Sequence, residues 1–286
     1  MITTLNSMRR LGQTGADQTG AAPLSAPAIA EALAPEWRNQ CATEAVAVTV
    51  STNEDLVARA RAQQPGQRLL RAADFQSSGR GRKKRKWRAA PGDALLFSVA
   101  IPLTAASQTL PAITLACGVA VAESLSECGV GVQLKWPNDI RVQGCKLGGI
   151  LTELVADRDG RHTLVVGVGI NLHLDESVRR AIGQPAIALD ALLDTPAQRS
   201  REQWIGLFAS AIFNASARFM QEGFDSFRPR FNQLLESRGE LVEVLRDAPS
   251  VPVSGRVIEV DRHGRLIIEV EGQRHAVSVG DVSVRQ

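Results

Sequence analysis

The order of apolar segments along the chain restricts its fold more than any other feature of the sequence. Between residues 45 and 174, short apolar runs typical of β-strands are interspersed with helical segments, without a strict strand–helix–strand alternation. The predicted strands are 45–50, 68–75, 94–103, 132–136, 146–155 and 163–174, and the predicted helices among them are 54–63 and 111–128. Such a mixture predicts an α+β domain built on a mixed sheet.

The ends of these helices carry recognisable signals. Residues 51–53, Ser-Thr-Asn, offer side-chain oxygens that cap a helix N-terminus. The second helix begins at Pro111 and stops at Gly129, residue types that favour those two positions. Two further helical stretches are predicted near residues 199–221 and 224–236.

The last part of the chain changes character. Short β-type runs at 240–245, 251–260, 264–270 and 273–279 are separated by turn residues such as those at 261–264. Short strands at even spacing are typical of a small barrel or sandwich, here of about 50 residues. The sequence therefore predicts a small β domain after the larger one.

We expect three parts in the chain. Residues 1–40 are expected to form a poorly ordered leader, because their early part is rich in Thr, Gln, Gly, Ala and Pro; a short helix is predicted near 28–34. Residues 41–237 are expected to form the larger domain, and residues 238–286 the small β domain.

The composition is that of an ordinary globular protein, with 286 residues, 44% hydrophobic and 22% charged. Apolar runs stop well short of the ~20 residues of a membrane-spanning helix, and the start lacks the apolar core of a secretory signal, so we expect a soluble, cytoplasmic protein. The cysteines and histidines show no ligand spacing, which argues against a zinc site or a disulfide framework. They are Cys41, Cys117, Cys128, Cys145, His162, His173, His263 and His275.

Positive charge is concentrated in one segment. Residues 80–88, RGRKKRKWR, hold seven basic side chains, whereas the rest of the chain has 26 basic and 30 acidic residues. The glycines at positions 79 and 81 let the backbone approach a ligand closely, and the interleaved cations suit a phosphate. A solvated basic loop and a nucleic-acid-binding patch are the alternatives, although a general nucleic-acid binder usually spreads its charge over a face.

The segment 134–140, LKWPNDI, places polar residues at the end of a predicted strand. Pro137 interrupts the ladder, and Asn138 and Asp139 turn the chain. Lys135 is then placed to pair with a carboxylate or a phosphate, and Asp139 to orient a metal or a neighbouring cation. A plain turn with no role in binding is the alternative.

The runs 146–154 and 165–172 carry glycines where side chains would otherwise pack. Glycine weakens a strand interior, and its presence often marks close approach by a ligand or another backbone. Gly167 and Gly169 do not form a dinucleotide-binding fingerprint, because position 172 is Leu and no helix is predicted to open there. The sequence also lacks a GxxxxGK[ST] phosphate loop, so a nucleotide site must use other groups.

Five short motifs together carry a resemblance that none carries alone. They are Ser-Thr-Asn at 51–53, the Gly-Arg-Gly-Arg loop ending in Trp at 79–87, Lys-Trp-Pro-Asn-Asp at 135–139, Lys-Leu-Gly-Gly-Ile-Leu at 146–151 and Gly-Val-Gly-Ile-Asn at 167–171. In order and approximate spacing, the chain from about residue 45 to residue 286 resembles the biotin protein ligases. The resemblance implies a mixed-sheet catalytic domain of the class II aminoacyl-tRNA synthetase and biotin ligase type, followed by an SH3-like β-barrel.

The resemblance also implies roles for individual positions. It places biotin against Ser51, Thr52, Asn53, Gln76, Gly79, Arg80, Gly81, Arg82 and Lys135. It places ATP or the adenylate against Arg85, Trp87, Asn138, Gly169 and Asn171. Lys135 and Arg82 are the expected catalytic residues. Mg²⁺ is expected to arrive with ATP, near Asp139, without a cluster of protein ligands.

The implied activity is ATP-dependent formation of biotinyl-5′-AMP, followed by transfer of biotin to a lysine of a biotin carboxyl carrier protein domain of a carboxylase. We expect a monomer or homodimer that does not bind a membrane. We also expect no DNA binding, because a leader of forty residues is too short for a winged-helix domain. The alternatives are a lipoate ligase, a nucleic-acid-binding regulator and a biotin-binding module without turnover. Two positions depart from the family pattern: Val50 stands where Asp is common, and Lys84, where a second Gly is common, makes the loop stiffer and more basic.

Overall fold

The computed structural model describes residues 22–62, 66–103, 112–193, 199–245, 253–278 and 281–284. The helices are α1 (Ala26–Ala32), α2 (Pro35–Arg38), α3 (Thr52–Arg61), α4 (Ile113–Glu127), α5 (Glu176–Ile182), α6 (Arg201–Glu222) and α7 (Arg228–Leu234). The strands are β1 (Cys41–Thr49), β2 (Arg68–Gln76), β3 (Ala94–Leu103), β4 (Gln133–Lys135), β5 (Asp139–Val142), β6 (Cys145–Ala156), β7 (His162–Asn171), β8 (Leu241–Leu245), β9 (Val253–Val260), β10 (Leu266–Val270), β11 (Gln273–Val277) and β12 (Asp281–Val284).

Seven strands form the larger sheet, in the order β1-β2-β3-β7-β6-β5-β4. Strands β1 and β2 pair in parallel, and every other neighbouring pair in this sheet is antiparallel. The long helix α3 connects the parallel pair, as a parallel crossover requires. The predicted α+β class with a mixed sheet is confirmed.

The larger sheet is covered on both faces. Helix α3 packs on one face, where Leu56 and Val57 meet Ala100 of β3 and Val165 of β7 in a small buried cluster. Helices α4 and α6 contact β6 and β3 respectively and belong with the opposite face in the main core, which includes Phe97. Because alternate residues of a strand point to opposite faces, β3 and β7 are mostly apolar where both faces are covered, and Ser98 is a buried polar exception in β3.

Helices α1 and α2 pack against α6. Ile29 and Leu33 are fully buried, and the Trp37 indole Nε1 donates to Asn214 Oδ1 at 2.8 Å. A Cβ atom on Gly206 of α6 would lie 2.6 Å from the backbone of Ala32, so the glycine allows the helices to touch. The described end of the predicted leader is therefore part of the folded protein, which corrects the expectation for this part of 1–40. Residues 1–21 lie outside the described chain.

The smaller sheet has five antiparallel strands in the order β11-β10-β9-β8-β12. It contacts the larger sheet next to β4, where the Trp136 Nε1 donates to the carbonyl of Gly264, in the turn between β9 and β10, at 3.0 Å. Val242 and Val257 belong to the same apolar core as the larger sheet. The predicted C-terminal strands are confirmed.

Several details differ from the sequence prediction; for example, strand β1 begins at Cys41 instead of 45, and strand β12 was not predicted. Strand β7 ends at Asn171 instead of 174, because the next two backbone N–H groups donate to the carbonyl of Asp93. The helix predicted at 224–236 is a 3₁₀ turn, Phe224–Ser226, followed by α7; Pro229 sits in the first turn of α7, where its missing N–H costs nothing. Strand β5 and helix α5 were not predicted, since four and seven residues are too short for a clear periodicity.

Among the described residues, no helix combines the length and the apolar character needed to cross a membrane.

Candidate functional site

A cavity of about 510 Å³ opens on the face of the larger sheet that carries α3. The predicted site residues that line it are Ser51, Thr52, Asn53, Gln76, Arg80, Gly81, Arg82, Arg85, Trp87, Lys135, Asn138, Asp139, Gly169 and Asn171. Gly79 is the exception: it lies beside Trp87, whose Cβ would be 3.1 Å from a Cβ at position 79. Residues separated by as many as 120 positions along the chain are thus brought into one site.

The floor of the cavity consists of strand positions with little side chain. Val165 of β7 is covered by α3. Gly167 and Gly169 follow on the same face of β7, two and four residues further along. Gly167 lies opposite Ser98 of β3, and Gly169 lies opposite Leu96. A Cβ at Gly169 would lie 2.8 Å from the Trp87 ring, and one at Gly167 would lie 2.8 Å from the Asn53 Oδ1. Side chains of the site, and not another backbone, approach these two glycines, whereas the approach of a ligand remains a prediction.

Polar side chains at the buried end of the cavity bond to one another. The Thr52 backbone N–H donates to Gln76 Oε1 at 2.7 Å, and the Thr52 hydroxyl lies 3.1 Å from the same oxygen and 2.8 Å from the Ser98 hydroxyl. Ser51 caps α3 as predicted, with its Oγ accepting from the Glu54 N–H. Ser98 was missed, although a lone polar residue in the apolar run 94–103 was its signal.

Asn53 completes the buried end. Its Nδ2 donates to Glu153 Oε2 on β6, whereas its Oδ1 is buried and has no hydrogen-bond partner among the described residues. Buried polar atoms are normally paired, so an unpaired carbonyl oxygen in a cavity wall is a candidate ligand contact. Glu153 carried no sequence signal, since it falls in a run read only for its glycines.

The basic segment folds as a short hairpin over the cavity. Arg80 pairs with Lys86 in a β-bridge, the Gly81 N–H donates to the Arg85 carbonyl at 2.7 Å, and the Trp87 N–H donates to the Gly79 carbonyl at 2.8 Å. Gly79 therefore takes part in the hydrogen bonding of the hairpin without lining the cavity. The side chain of Lys84 lies outside the described structure.

The base of the hairpin is tied to the end of β1. The Ser78 N–H donates to the carbonyl of Val50 at 3.1 Å, and Arg80 forms an ion pair with Glu54 at 2.7 Å. Val50 itself is half-exposed, so its departure from the family pattern leaves its backbone contact intact.

Trp87 and Lys146 form the side of the cavity next to Gly169. The Lys146 Nζ lies 5.8 Å from the centre of the Trp87 ring and 2.7 Å from Asp139 Oδ1. The prediction that Asp139 orients a neighbouring cation is confirmed. Lys146 was not predicted as a site residue, because only its partner stands in the turn motif.

Cations dominate the remaining wall. Seven basic residues line the cavity, namely Arg80, Arg82, Arg85, Lys86, Arg88, Lys135 and Lys146. Asp139 is the only carboxylate among the described lining residues. No group of three potential metal ligands is found among the described residues. This wall is suited to a strongly anionic ligand.

Lys135 stands at the end of β4, as predicted. Burial lowers the pKa of its ammonium group below the usual range, and the nearby Arg141 lowers it further, whereas Glu236 and Asp139 act in the opposite direction. Arg141 and Glu236 form an ion pair at 3.2 Å behind it. Desolvation makes the Lys135 charge interact more strongly with an anion in the cavity.

Two asparagines fix the backbone around Lys135 and Lys146. Asn138 Nδ2 donates to the Ile150 carbonyl at 3.1 Å, and the buried Asn171 donates to the Ile187 carbonyl at 3.1 Å. A nucleotide contact by either residue remains a prediction. The last residue of α5, Ile182, and two residues after the helix, Gln184 and Ala186, also line the wall, and these residues were not predicted.

One site thus joins a buried, neutral, hydrogen-bonding end to a wall of cations. The model of the biotin/lipoate A/B protein ligase family matches residues 45–171, the part of the chain that builds most of this site. This part of the chain is similar to that family.

Individual relatives and solved structures are more specific than the family model about the class of protein. The chain is 28% identical over 236 residues to the bifunctional ligase/repressor BirA of Escherichia coli, covering 82% of this chain and 71% of that protein. It is 29% identical over 265 residues to the biotin–[acetyl-CoA-carboxylase] ligase of Mycobacterium tuberculosis, covering 86% and 89%. The biotin protein ligase of Aquifex aeolicus, in complex with biotin and ATP, superimposes with a TM-score of 0.69 at 26% identity, covering 85% and 97%. The chain is thus similar to biotin protein ligases both in sequence and in fold.

Proposed function

We propose that this protein joins biotin to ATP to form biotinyl-5′-AMP and pyrophosphate, and then transfers biotin to a lysine of a biotin carboxyl carrier protein domain. One observation carries the proposal: a single cavity joins a buried hydrogen-bonding end to seven cationic residues. Biotin has a neutral ureido ring at one end and a carboxylate at the other, and ATP adds the phosphates. The names of the relatives agree with this choice of substrates.

Biotin fits the cavity in one direction. Its ureido ring would lie at the buried end, against Ser51, Thr52 and Asn53, where oxygen atoms and hydroxyl groups are already held in place. Its carboxylate would then point toward Lys135 and the hairpin arginines. Burying the charged end next to Ser98 would leave a desolvated carboxylate without a cation, which is costly.

ATP would occupy the side of the cavity formed by Trp87, Gly169 and the residues after α5. An aromatic ring and an apolar wall suit adenine, and Arg82 and Arg85 of the hairpin would lie along the phosphates. Pairing an arginine with a phosphate gives charge-assisted hydrogen bonds, which are stronger than neutral ones.

Adenylation requires no nucleophile from the protein. The biotin carboxylate oxygen attacks the α-phosphorus, the bond to the β-phosphate oxygen breaks, and pyrophosphate leaves. Lys135 and Arg82 hold the two anionic groups together and stabilise the charge that builds up between them. In the second step the neutral amine of the acceptor lysine attacks the carbonyl carbon of the adenylate, and AMP leaves with the bonding electrons.

The residues present fit a magnesium ion that arrives with ATP. Mg²⁺ commonly binds through substrate phosphates and one or two carboxylates, and Asp139 supplies one carboxylate at the cationic wall, next to Lys146. When bound, the ion would neutralise phosphate charge. The protein's own cations position the reacting groups.

We further propose that residues 41–237 form the catalytic domain and that residues 238–286 form an SH3-like β domain packed against it. The order of the five antiparallel strands supports a separate unit. Limited proteolysis that cuts between α7 and β8 before any other site would support this boundary.

The test of the proposed function is biotin-dependent exchange of labelled pyrophosphate into ATP. Exchange with biotin, and none with lipoate or without ligand, is the expected result. Exchange with lipoate alone would assign the chain to the lipoate branch of its family. Transfer is then tested with an isolated carrier domain, using the same domain with its acceptor lysine replaced by arginine as the control.

DNA binding is the alternative function for the basic segment. Five of its cations line the cavity wall, where a ligand of the size of ATP can reach them. A steep dependence of DNA affinity on salt concentration, together with absent pyrophosphate exchange, would instead favour a nucleic-acid-binding regulator.

A further inference from the structure

The carboxamide of Asn53 is held in one orientation. Its Nδ2 donates to Glu153 Oε2, which lies 100 residues further along the chain on β6. Asn53 is only 5% exposed, and its Oδ1 has no partner among the described residues. In the strand register, Glu153 lies opposite Val165, and Leu151 lies opposite Gly167. Val165 and Gly167 share the face of the sheet that carries α3 and the cavity floor, so Glu153 lies on that face too.

The orientation matters because the two ends of a carboxamide are chemically opposite. The nitrogen donates two hydrogen bonds, and the oxygen accepts. An ionised carboxylate only accepts, so Glu153 can bind the nitrogen end of Asn53 and not the oxygen end. The carboxylate therefore determines that an acceptor, and not a donor, faces the cavity.

Gly167 provides the space for this arrangement. A Cβ at position 167 would lie 2.8 Å from Asn53 Oδ1 and 3.2 Å from its carboxamide carbon. Any larger residue there would displace the carbonyl oxygen from the cavity wall. Glu153 and Gly167, on neighbouring strands, thus fix the orientation and the position of one acceptor.

We propose that Glu153 is a positioning residue, which acts through Asn53 to select ligands that present an N–H group at the buried end of the cavity. The inference rests on the proposed function, in which that group is one of the two ureido N–H groups of biotin. It extends that function by naming the residue that distinguishes biotin from an isosteric ring without the donor. Loss of the donor leaves a buried oxygen unpaired, which corresponds to roughly 10- to 100-fold weaker binding.

The experiment measures biotin-dependent pyrophosphate exchange with wild type, Glu153→Leu and Glu153→Gln. Leucine has no acceptor for the Asn53 nitrogen, whereas the glutamine carbonyl retains one. The substrates are biotin and two cyclic carbamates, in each of which one ureido N–H is replaced by oxygen. KM and kcat are measured for each substrate, and KM for ATP is measured with biotin.

We expect wild type to reject at least one carbamate by roughly 10- to 100-fold in kcat/KM. Glu153→Leu should raise the KM for biotin about 10-fold, reduce that discrimination to a few-fold, and leave KM for ATP within about 2-fold. Glu153→Gln should retain most of the discrimination. Gly167→Ala, which displaces the carbonyl without touching Glu153, should reproduce the Glu153→Leu pattern and provides the test if the leucine variant fails to fold.

Two results would overturn the inference by itself. One is a variant that raises KM for biotin and for both carbamates equally; the other is wild type that does not discriminate among the three compounds. If wild type shows no biotin-dependent exchange, the proposed function fails and the inference fails with it.

Discussion

The two ends of the cavity are built in different ways. At the buried end, Ser51, Thr52 and Ser98 are between 0% and 3% exposed, and Thr52 bonds to both Gln76 and Ser98. At the cationic end, the ion pair between Arg80 and Glu54 joins side chains that are 39% and 40% exposed. Neutral groups are fixed by several short bonds, whereas this outer charge is held by a contact with solvent around it.

This difference indicates that the two ends of the cavity have different tasks in ligand binding. A buried hydrogen-bond network holds its side chains in one geometry and, with the Asn53 oxygen left to accept from a ligand, suits recognition of a neutral ring. Exposed ion pairs contribute little to stability, so the hairpin can change its contacts when an anionic ligand enters, at small cost. Lys135 is a half-buried cation of the cavity wall, and burial lowers its pKa.

The largest effect should come from removing Lys135. Lys135→Ala should lower kcat of pyrophosphate exchange by about 10²–10³, because one preorganised group that stabilises developing charge is lost. Steady-state exchange measures this, with the exposed Arg158→Ala as control for loss of a cation elsewhere. A decrease of less than 5-fold would remove Lys135 from the proposed mechanism.

At the buried end, Thr52→Val should raise the KM for biotin about 10-fold with kcat little changed. Valine has the shape of threonine but leaves the oxygens of Gln76 and Ser98 with fewer partners, a loss on the scale of 1–3 kcal/mol. Isothermal titration with biotin measures the same loss without turnover. Thr52→Ser keeps the hydroxyl and should bind nearly as wild type; equal weakening by both substitutions would contradict the role of the hydroxyl.

A smaller effect concerns pH. Burial lowers the pKa of Lys135, so exchange should decline on the alkaline side at a pH below the usual range of lysine, as the ammonium group loses its proton. Glu236 raises the Lys135 pKa; Glu236→Gln removes that influence and should move the decline to lower pH. A pH–rate profile of both proteins measures this, and a shift toward higher pH would contradict it.

The smallest effect is expected at the exposed ion pair. Glu54→Gln should change the free energy of unfolding by no more than about 0.5 kcal/mol, since exposed pairs are screened by water and salt. Urea unfolding followed by fluorescence measures the change. A loss above about 2 kcal/mol would mean that the hairpin is held as firmly as the buried end, and the contrast between the two ends would disappear.

Much of the site could be predicted because its motifs fall at strand ends and turns. Lys135 and Asp139 flank a turn, and Ser51 begins a helix, so local chemistry identifies them. Ser98 and Glu153 were missed because their roles depend on partners 46 and 100 residues away. Strand register determines which residues share a face, and register is a tertiary property.

The fold was predicted in class but not in every boundary. Apolar patterns located the long strands, of which β3 and β7 are buried on both faces, whereas β5 has four residues and gave no pattern of its own. The order of strands in the larger sheet also had no sequence signal. Trp37 illustrates the same limit: its burial against α6 is invisible in a segment whose composition resembles a leader.

The hydrogen bond from Trp136 to the Gly264 carbonyl has a consequence for biosynthesis. The two residues are 128 positions apart, so a ribosome releases β4 long before the turn that completes its surroundings emerges. A nascent chain lacks this anchor next to the central lysine until translation is well advanced. We therefore expect ribosome-bound intermediates stalled before residue 261 to have little adenylating activity, which would prevent half-made enzyme from consuming ATP.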